Sequence, residues 1–308
     1  MSMGFTGLNR TTSNIEPRTV NYSRSNGIDE IDDIRYINDI EYEAIKDELF
    51  GEFGFTIDQI TEMQGLSIAA AIHKTYPTTA SGSSLASSAS ASSSSSSATV
   101  VGNDSRTVAT KLLICCGSEL LGKSGLVAAR HLKLFGFRPT IYNPTPGRTP
   151  HYHRLIRQCQ EFEISFLSYL PNESRLIRDS YDLVVDVMDD YQQSLNTNNQ
   201  EILGKLVDVC NAGTPVASVD VPFGWSANDG PPRSSGGIGG AGGEVMPVLL
   251  PECLISMIAP KMCAKLFTGR HHWLGGRFIL PSLSRKYKLN LPKFVGSEQI
   301  VAIDTHCY

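Results

Sequence analysis

A mostly parallel α/β sheet with helices on both faces is the fold this sequence predicts, on three observations. Short apolar runs alternate with segments of helical spacing between residues 111 and 258, as repeated βαβ units require. No stretch approaches the ~18 uncharged apolar residues that a membrane-spanning helix needs. The residues that fit neither pattern collect in two low-complexity stretches, so the 41% hydrophobic content is diluted locally rather than throughout.

Residues 1–35 are polar and irregular and read as a tail. Asn38 can cap a first helix, with Glu41 placed for a capping box and Tyr42, Ile45 and Leu49 as its apolar stripe. Thr56 can cap a second helix whose face, Ile57, Ile60 and Met63, ends near Gly65, and an Ala-rich piece over 67–73 extends it after a break. Residues 78–107 are a low-complexity insert with six consecutive serines at 92–97. Such a run cannot bury apolar area, so a linker is expected. A strand is expected over 111–116, a helix over 126–135, a strand over 139–142 and a helix over 152–161. Strands over 164–167 and 183–187, a helix over 198–211, and strands over 216–221 and 254–258 follow. A second insert covers 229–246, where six of the eight residues at 236–243 are glycine. Ligands on parallel sheets bind at the carboxyl ends of strands, which singles out the loops 117–125, 188–195 and 221–227.

The formal charge of −4 argues against phosphate-backbone binding as the main activity. Seven cysteines form no CxxC pair and sit mostly in apolar runs, as buried reduced thiols do. Seven histidines show no zinc-ligand spacing. No apolar segment near the N-terminus suggests a secretory signal. Arg10, Arg18 and Arg24 against Glu16 give only a faint transit-peptide pattern.

The loop after the first strand carries the sharpest motif. Gly117-Ser118-Glu119-Leu120-Leu121-Gly122-Lys123-Ser124 fits GxxxxGK[ST], the phosphate-cradling pattern between a strand and a helix. Leu183-Val184-Val185-Asp186 could supply the acidic strand that holds magnesium.

The surrounding residues resemble a known family. Gly125-Leu126-Val127-Ala128-Ala129-Arg130-His131-Leu132 and the strand Pro139-Thr140-Ile141-Tyr142 are similar to the NAD(P)H-hydrate epimerases, the YjeF N-terminal domain. Upstream, Asp47-Glu48-Leu49-Phe50, Phe55-Thr56-Ile57-Asp58-Gln59 and Gly65-Leu66-Ser67 extend the resemblance. Downstream, Ser218-Val219-Asp220-Val221-Pro222 with Gly224-Trp225 continues it. Ala259-Pro260-Lys261, Phe267-Thr268-Gly269-Arg270, Leu274-Gly275-Gly276-Arg277-Phe278 and Tyr287-Lys288-Leu289-Asn290-Leu291-Pro292 look like the animal epimerases. The resemblance implies a Rossmann-like three-layer αβα sandwich over 36–295, interrupted by the two inserts, with a C-terminal tail at 296–308. It implies inversion of the hydroxylated C6 of hydrated NADH or NADPH, a homodimer and a potassium ion at the site. No membrane or nucleic-acid partner is expected. Family members occur in cytosol and mitochondria, and the tail favours the cytoplasm.

By position, the resemblance assigns catalysis to Asp220 and potassium to Asp186. A carboxylate at a strand terminus can accept or return a proton when burial tunes it. Leu120, Leu121, Gly122, Lys123, Ser124, Asp190, Tyr191 and Gln192 take the substrate-binding positions. Leu121 and Phe223 fall on potassium-ligand positions, but their side chains offer no oxygen. Three loops depart from the family. G-P-G-N-N-G-G-D-G becomes the leucine-bearing loop above, the Gly-rich turn after Asp186 becomes Val187-Met188-Asp189-Asp190-Tyr191, and Phe223 replaces the serine of D-x-P-S-G. Productive geometry tolerates little displacement, so weakened or lost catalysis is the expectation. The alternatives are a non-catalytic scaffold, as in the YjeF-like domain of the enhancer-of-decapping proteins, and a P-loop nucleotide-binding protein. Arg130 and Arg270 could meet carboxylates or phosphates. Trp225, Trp273, His271 and His272 read as packing or surface groups.

Overall fold

The structure is a computed structural model that describes residues 34–78, 109–188, 197–232 and 247–303. Eight strands form one sheet in the order β3-β2-β1-β4-β5-β6-β7-β8. They are β1 (Lys111–Cys116), β2 (Arg138–Tyr142), β3 (Ser165–Leu167), β4 (Leu183–Val187), β5 (Val216–Val219), β6 (Cys253–Met257), β7 (His271–Gly275) and β8 (Val301–Ala302). Every pairing is parallel except β7 with β8. β1, β4, β5 and β6 are apolar along nearly their whole length because helices cover both faces.

Helices α2 (Ile57–Thr75), α3 (Leu120–Leu134) and α4 (Pro150–Glu161) share one core with the sheet, through Ile68, Leu126 and Leu155 among others. The opposite core gathers Ile177 of α5 (Ser174–Ser180) and Ile202, Leu203 and Leu206 of α6 (Thr197–Asn211). A third cluster joins α1 (Asp39–Phe50) and α7 (Pro281–Lys286) to Ile258, Ala259 and Phe278 beyond the ends of β6 and β7. The αβα sandwich is therefore the one expected.

Several local expectations hold. Asn38 and Glu41 form the capping box of α1, and Thr56 and Gln59 form that of α2. β1 and β4 have the expected bounds. Others need correction. α2 runs unbroken through Gly65, because that glycine lets two helices touch: a Cβ there would lie 2.3 Å from Val127 Cγ1 and 2.9 Å from Ser124 O. The presumed tail at 296–308 contains β8, and Ile300 and Ile303 beside it are buried. At the start of the expected second insert the chain is ordered: Ser226 and Gly230 exchange backbone hydrogen bonds of 2.8 and 2.9 Å. Residues 1–33, 79–108 and 233–246, which hold the rest of the tail and the inserts, lie outside the described residues. Cys115, Cys116, Cys159, Cys253 and Cys263 are buried free thiols, as expected, and Cys210 is half-buried.

Candidate active site at the carboxyl edge of the sheet

The strand order reverses between β1 and β4, the point where open α/β sheets place their ligands. The loop after β1 is much shorter than the phosphate-cradle pattern implies. α3 begins at Leu120, so Leu120, Leu121, Gly122, Lys123 and Ser124 are its first turn rather than a loop. Gly122 lies on the backbone of Gly117; a Cβ there would come 2.0 Å from Gly117 O.

Lys123 is 4% exposed, and its backbone N–H bonds Glu119 O at 3.0 Å as an ordinary helical bond. Its charge is felt by His151 on α4. The Ser124 hydroxyl is taken up by Gln64 Oε1 at 2.9 Å and Leu120 O at 3.0 Å. From the β2 side, Asn143 Nδ2 donates to Cys116 O at 2.8 Å, and the Tyr152 hydroxyl donates to Gly117 O at 3.0 Å. The loop is held shut from two directions. Arg130 pairs with Glu62 at 2.7 Å on the helical surface.

Asp186 stands at the end of β4 and is 1% exposed. Oδ2 accepts from Ser218 Oγ at 2.8 Å and from the Phe223 N–H at 2.8 Å; Oδ1 accepts from the Met188 N–H at 3.2 Å. Burial raises its carboxyl to about 6, against the pull of those three donors. A carboxylate has about four lone-pair sites, so a single one is left for any cation. Leu121 and Phe223 are apolar packing groups in the core clusters. Of the expected potassium positions, only Asp186 carries a side-chain oxygen.

Asp220 follows β5 directly and ends it two residues earlier than expected. Its φ of +61° is left-handed, a conformation in which Asp is among the few common non-glycine residues. That turn sends the carboxylate toward β6. Oδ1 accepts from the Met257 N–H at 2.7 Å, and Oδ2 lies 2.8 Å from Lys261 Nζ, both side chains being 5% exposed. Nζ in turn sits 3.6 Å from the centroid of the Tyr42 ring. Burial first, and then the facing Asp220 carboxylate, push the Tyr42 phenol well above its ordinary value.

The structure thus brings Asp186 together with Ser218 and Phe223, and Asp220 together with Lys261 and Tyr42. It places Lys123 and Ser124 inside the helical layer instead. Asp190, Tyr191 and Gln192 lie outside the described residues. Sequence reasoning missed the partnership of Lys261 and Tyr42. Lysine at the end of an apolar strand was a usable signal, whereas Tyr42 at helical spacing is indistinguishable from a packing residue. Trp225 and Trp273 are packing groups: their indoles donate to Leu249 O and Thr75 Oγ1, each at 2.8 Å.

A family model described as YjeF-related protein N-terminus matches residues 58–263, more than half of the chain. Among solved structures, the crystal structure of the yeast protein YNL200c (ynu0) is similar. It is 25% identical, covers 88% of this chain and 100% of its own, and superposes with a TM-score of 0.70.

Proposed function

The chain belongs to the family of YjeF-related protein N-termini, and from that premise we propose that it is an NAD(P)H-hydrate epimerase-like protein of nicotinamide-nucleotide repair whose catalysis is weakened or lost. The reaction to be supported is R/S inversion at the hydroxylated C6 of hydrated NADH or NADPH. It needs a carboxylate free to exchange a proton and a loop that receives the dinucleotide. The observation that carries the proposal is the state of Asp220: it is buried, and each carboxylate oxygen is held by a protein group, one by the Met257 N–H and the other by Lys261. An acid–base group must reach the proton it moves, and this one faces the protein.

The closed loop at 117–119 supports the same reading. Gly122 is packed directly on Gly117 in a short turn, and Glu119 adds negative charge where a pyrophosphate would approach. Potassium belongs to the family picture, but Leu121 and Phe223 offer it no side-chain oxygen, and no step depends on it here. A homodimer in the cytoplasm, or in mitochondria, completes the proposal.

The test is turnover of purified full-length protein on R-NADHX, followed by chiral separation above the uncatalysed background. The expected rate is at least ~100-fold below that of an active family member, the scale on which small misplacements act. Near-normal turnover overturns the proposal. Calorimetric titration with ATP, NADH and NADPH separates the alternatives: heat with ATP alone would point to nucleotide hydrolysis chemistry instead.

A further inference from the structure

Three groups over the end of β5 make a closed unit. Asp220 and Lys261 are 3% and 4% exposed, while Tyr42 is only partly covered and forms the outer member. The lysine ammonium is held between the carboxylate at 2.8 Å and the face of the phenol ring at 3.6 Å. The Tyr42 hydroxyl faces the same carboxylate.

The segment that carries Tyr42 is fixed in place. The Ile37 N–H donates to Pro260 O at 2.9 Å, and Ile37 O accepts from the Met262 N–H at 2.9 Å, stitching this segment to both sides of Lys261. The Asp39 N–H donates to Asn228 Oδ1 at 3.0 Å, tying the start of α1 to the loop that follows Asp220. The first turn of α1 is thereby held over the carboxylate by contacts on two sides.

We propose that Tyr42 is an internal pseudo-ligand: its ring and hydroxyl occupy the place of a hydroxyl-bearing ring substrate, lying over Lys261 with the hydroxyl toward Asp220. This rests on the reading that Asp220 is the group such a substrate would meet. The chemistry of the slot follows from its walls. An ammonium favours the face of an electron-rich ring, and a carboxylate beside it accepts from a ring hydroxyl. Tyrosine satisfies both at once; a hydrated dihydropyridine, whose hydroxylated carbon is saturated, would share the contact of its hydroxyl with the carboxylate. Lys261 is a positioning residue in this arrangement, since it holds the ring and the carboxylate in register.

Carbodiimide-driven amidation of carboxyl groups, read by peptide mass spectrometry, tests the slot without needing turnover. In full-length Tyr42→Ala, labelling of Asp220 should rise about tenfold over the native chain, the scale of one lost desolvated cation–π contact, with Asp186 unchanged. Added p-cresol, which restores ring and hydroxyl, should return Asp220 to protection, and Tyr42→Phe should stay close to the native level. If Tyr42→Ala does not yield folded protein, Tyr42→Leu removes the ring while keeping an apolar packing group. Unchanged Asp220 labelling in a folded variant overturns the inference, as does labelling that rises without protection by p-cresol. R-NADHX turnover measured on the same variants is separate. Exposed Asp220 with no gain in turnover leaves the pseudo-ligand standing and counts against an epimerase hidden beneath it.

Discussion

His272 offers the most quantitative prediction. It lies on β7, 3% exposed, with Nε2 2.9 Å from Ser256 Oγ on the neighbouring strand and the Phe267 ring 5.6 Å away. Its Nδ1 is buried with no hydrogen-bond partner among the described residues. Protonation would therefore bury a charge with no acceptor for its second N–H, and burial lowers the imidazole from 6.5 to about 4. The unfolded chain binds this proton below pH 6.5 and the folded chain does not until pH 4, so stability falls as pH falls through that window. The gap is worth about 3 kcal/mol in full, and about 2.5 kcal/mol of it is lost by pH ~4.5.

Asp186 works in the opposite direction. Its carboxyl is raised to about 6, so acidification through that value recovers stability of similar size. β4 and β7 stand three strands apart in the sheet, about 14 Å, so the two contributions should add independently. The perturbation is the pair Ser256→Ala with His272→Phe, which replaces both hydrogen-bonding partners by apolar groups and should cost little at neutral pH. Urea unfolding of both proteins between pH ~7 and ~4.5 is the assay. The difference in stability should shift by about 2.5 kcal/mol in favour of the variant, or roughly 1 M urea in midpoint. Parallel stability-versus-pH curves for the two proteins would refute the burial argument for His272.

Two further predictions concern packing and the expected ion. Gly65→Ala should lower stability by about 1–3 kcal/mol, because its Cβ meets Val127 and the Ser124 carbonyl, and thermal unfolding checks it. Ser218→Ala removes a donor from the buried Asp186 carboxylate and should lower the melting temperature by several degrees, for a loss of about 1.5–3 kcal/mol. In the native chain, replacing choline chloride by potassium chloride at equal ionic strength should leave that melting temperature unchanged. A rise specific to potassium would show that Asp186 keeps a working ligand set.

Much of the scaffold is legible in the sequence because local rules and tertiary demands agree there. The caps at Asn38 and Thr56 and the apolar runs of β1 and β4 read directly as the elements they form. The beginning of α3 does not, since glycine, lysine and serine in P-loop order suggest a loop while Gly122 is in fact a helix residue pressed on Gly117. β7 reads His271-His272-Trp273, with no apolar run, and becomes a strand because β6 and β8 supply its partners. α5 is too short for its spacing to register against the surrounding polar residues. Asp220 was legible through its motif, but its partners were not. Tyr42 and Lys261 come from opposite ends of the chain and meet only because the segment at Ile37 pairs beside Lys261.

The two buried carboxylates tie neighbouring strands together, which is a structural role that does not involve catalysis. Asp186 joins the end of β4 to Ser218 of β5 and to the turn at Phe223. Asp220 joins the end of β5 to Met257 of β6 and to Lys261. Removing one partner from the buried Asp220–Lys261 pair should cost about 3–5 kcal/mol, a large share of a domain's stability, and removing a neutral donor from Asp186 about 1.5–3 kcal/mol. The loop positions carry no equivalent penalty: Leu120, Leu121 and Phe223 contribute to apolar clusters where family-type polar groups would have to be solvated or paired. The turn at Asp220 adds one more constraint, since its left-handed backbone suits few side chains other than glycine, asparagine or aspartate, and of these only aspartate can pair with Lys261. The aspartate at 220 is thus required by the fold of this chain, for its turn and for its pairing with Lys261.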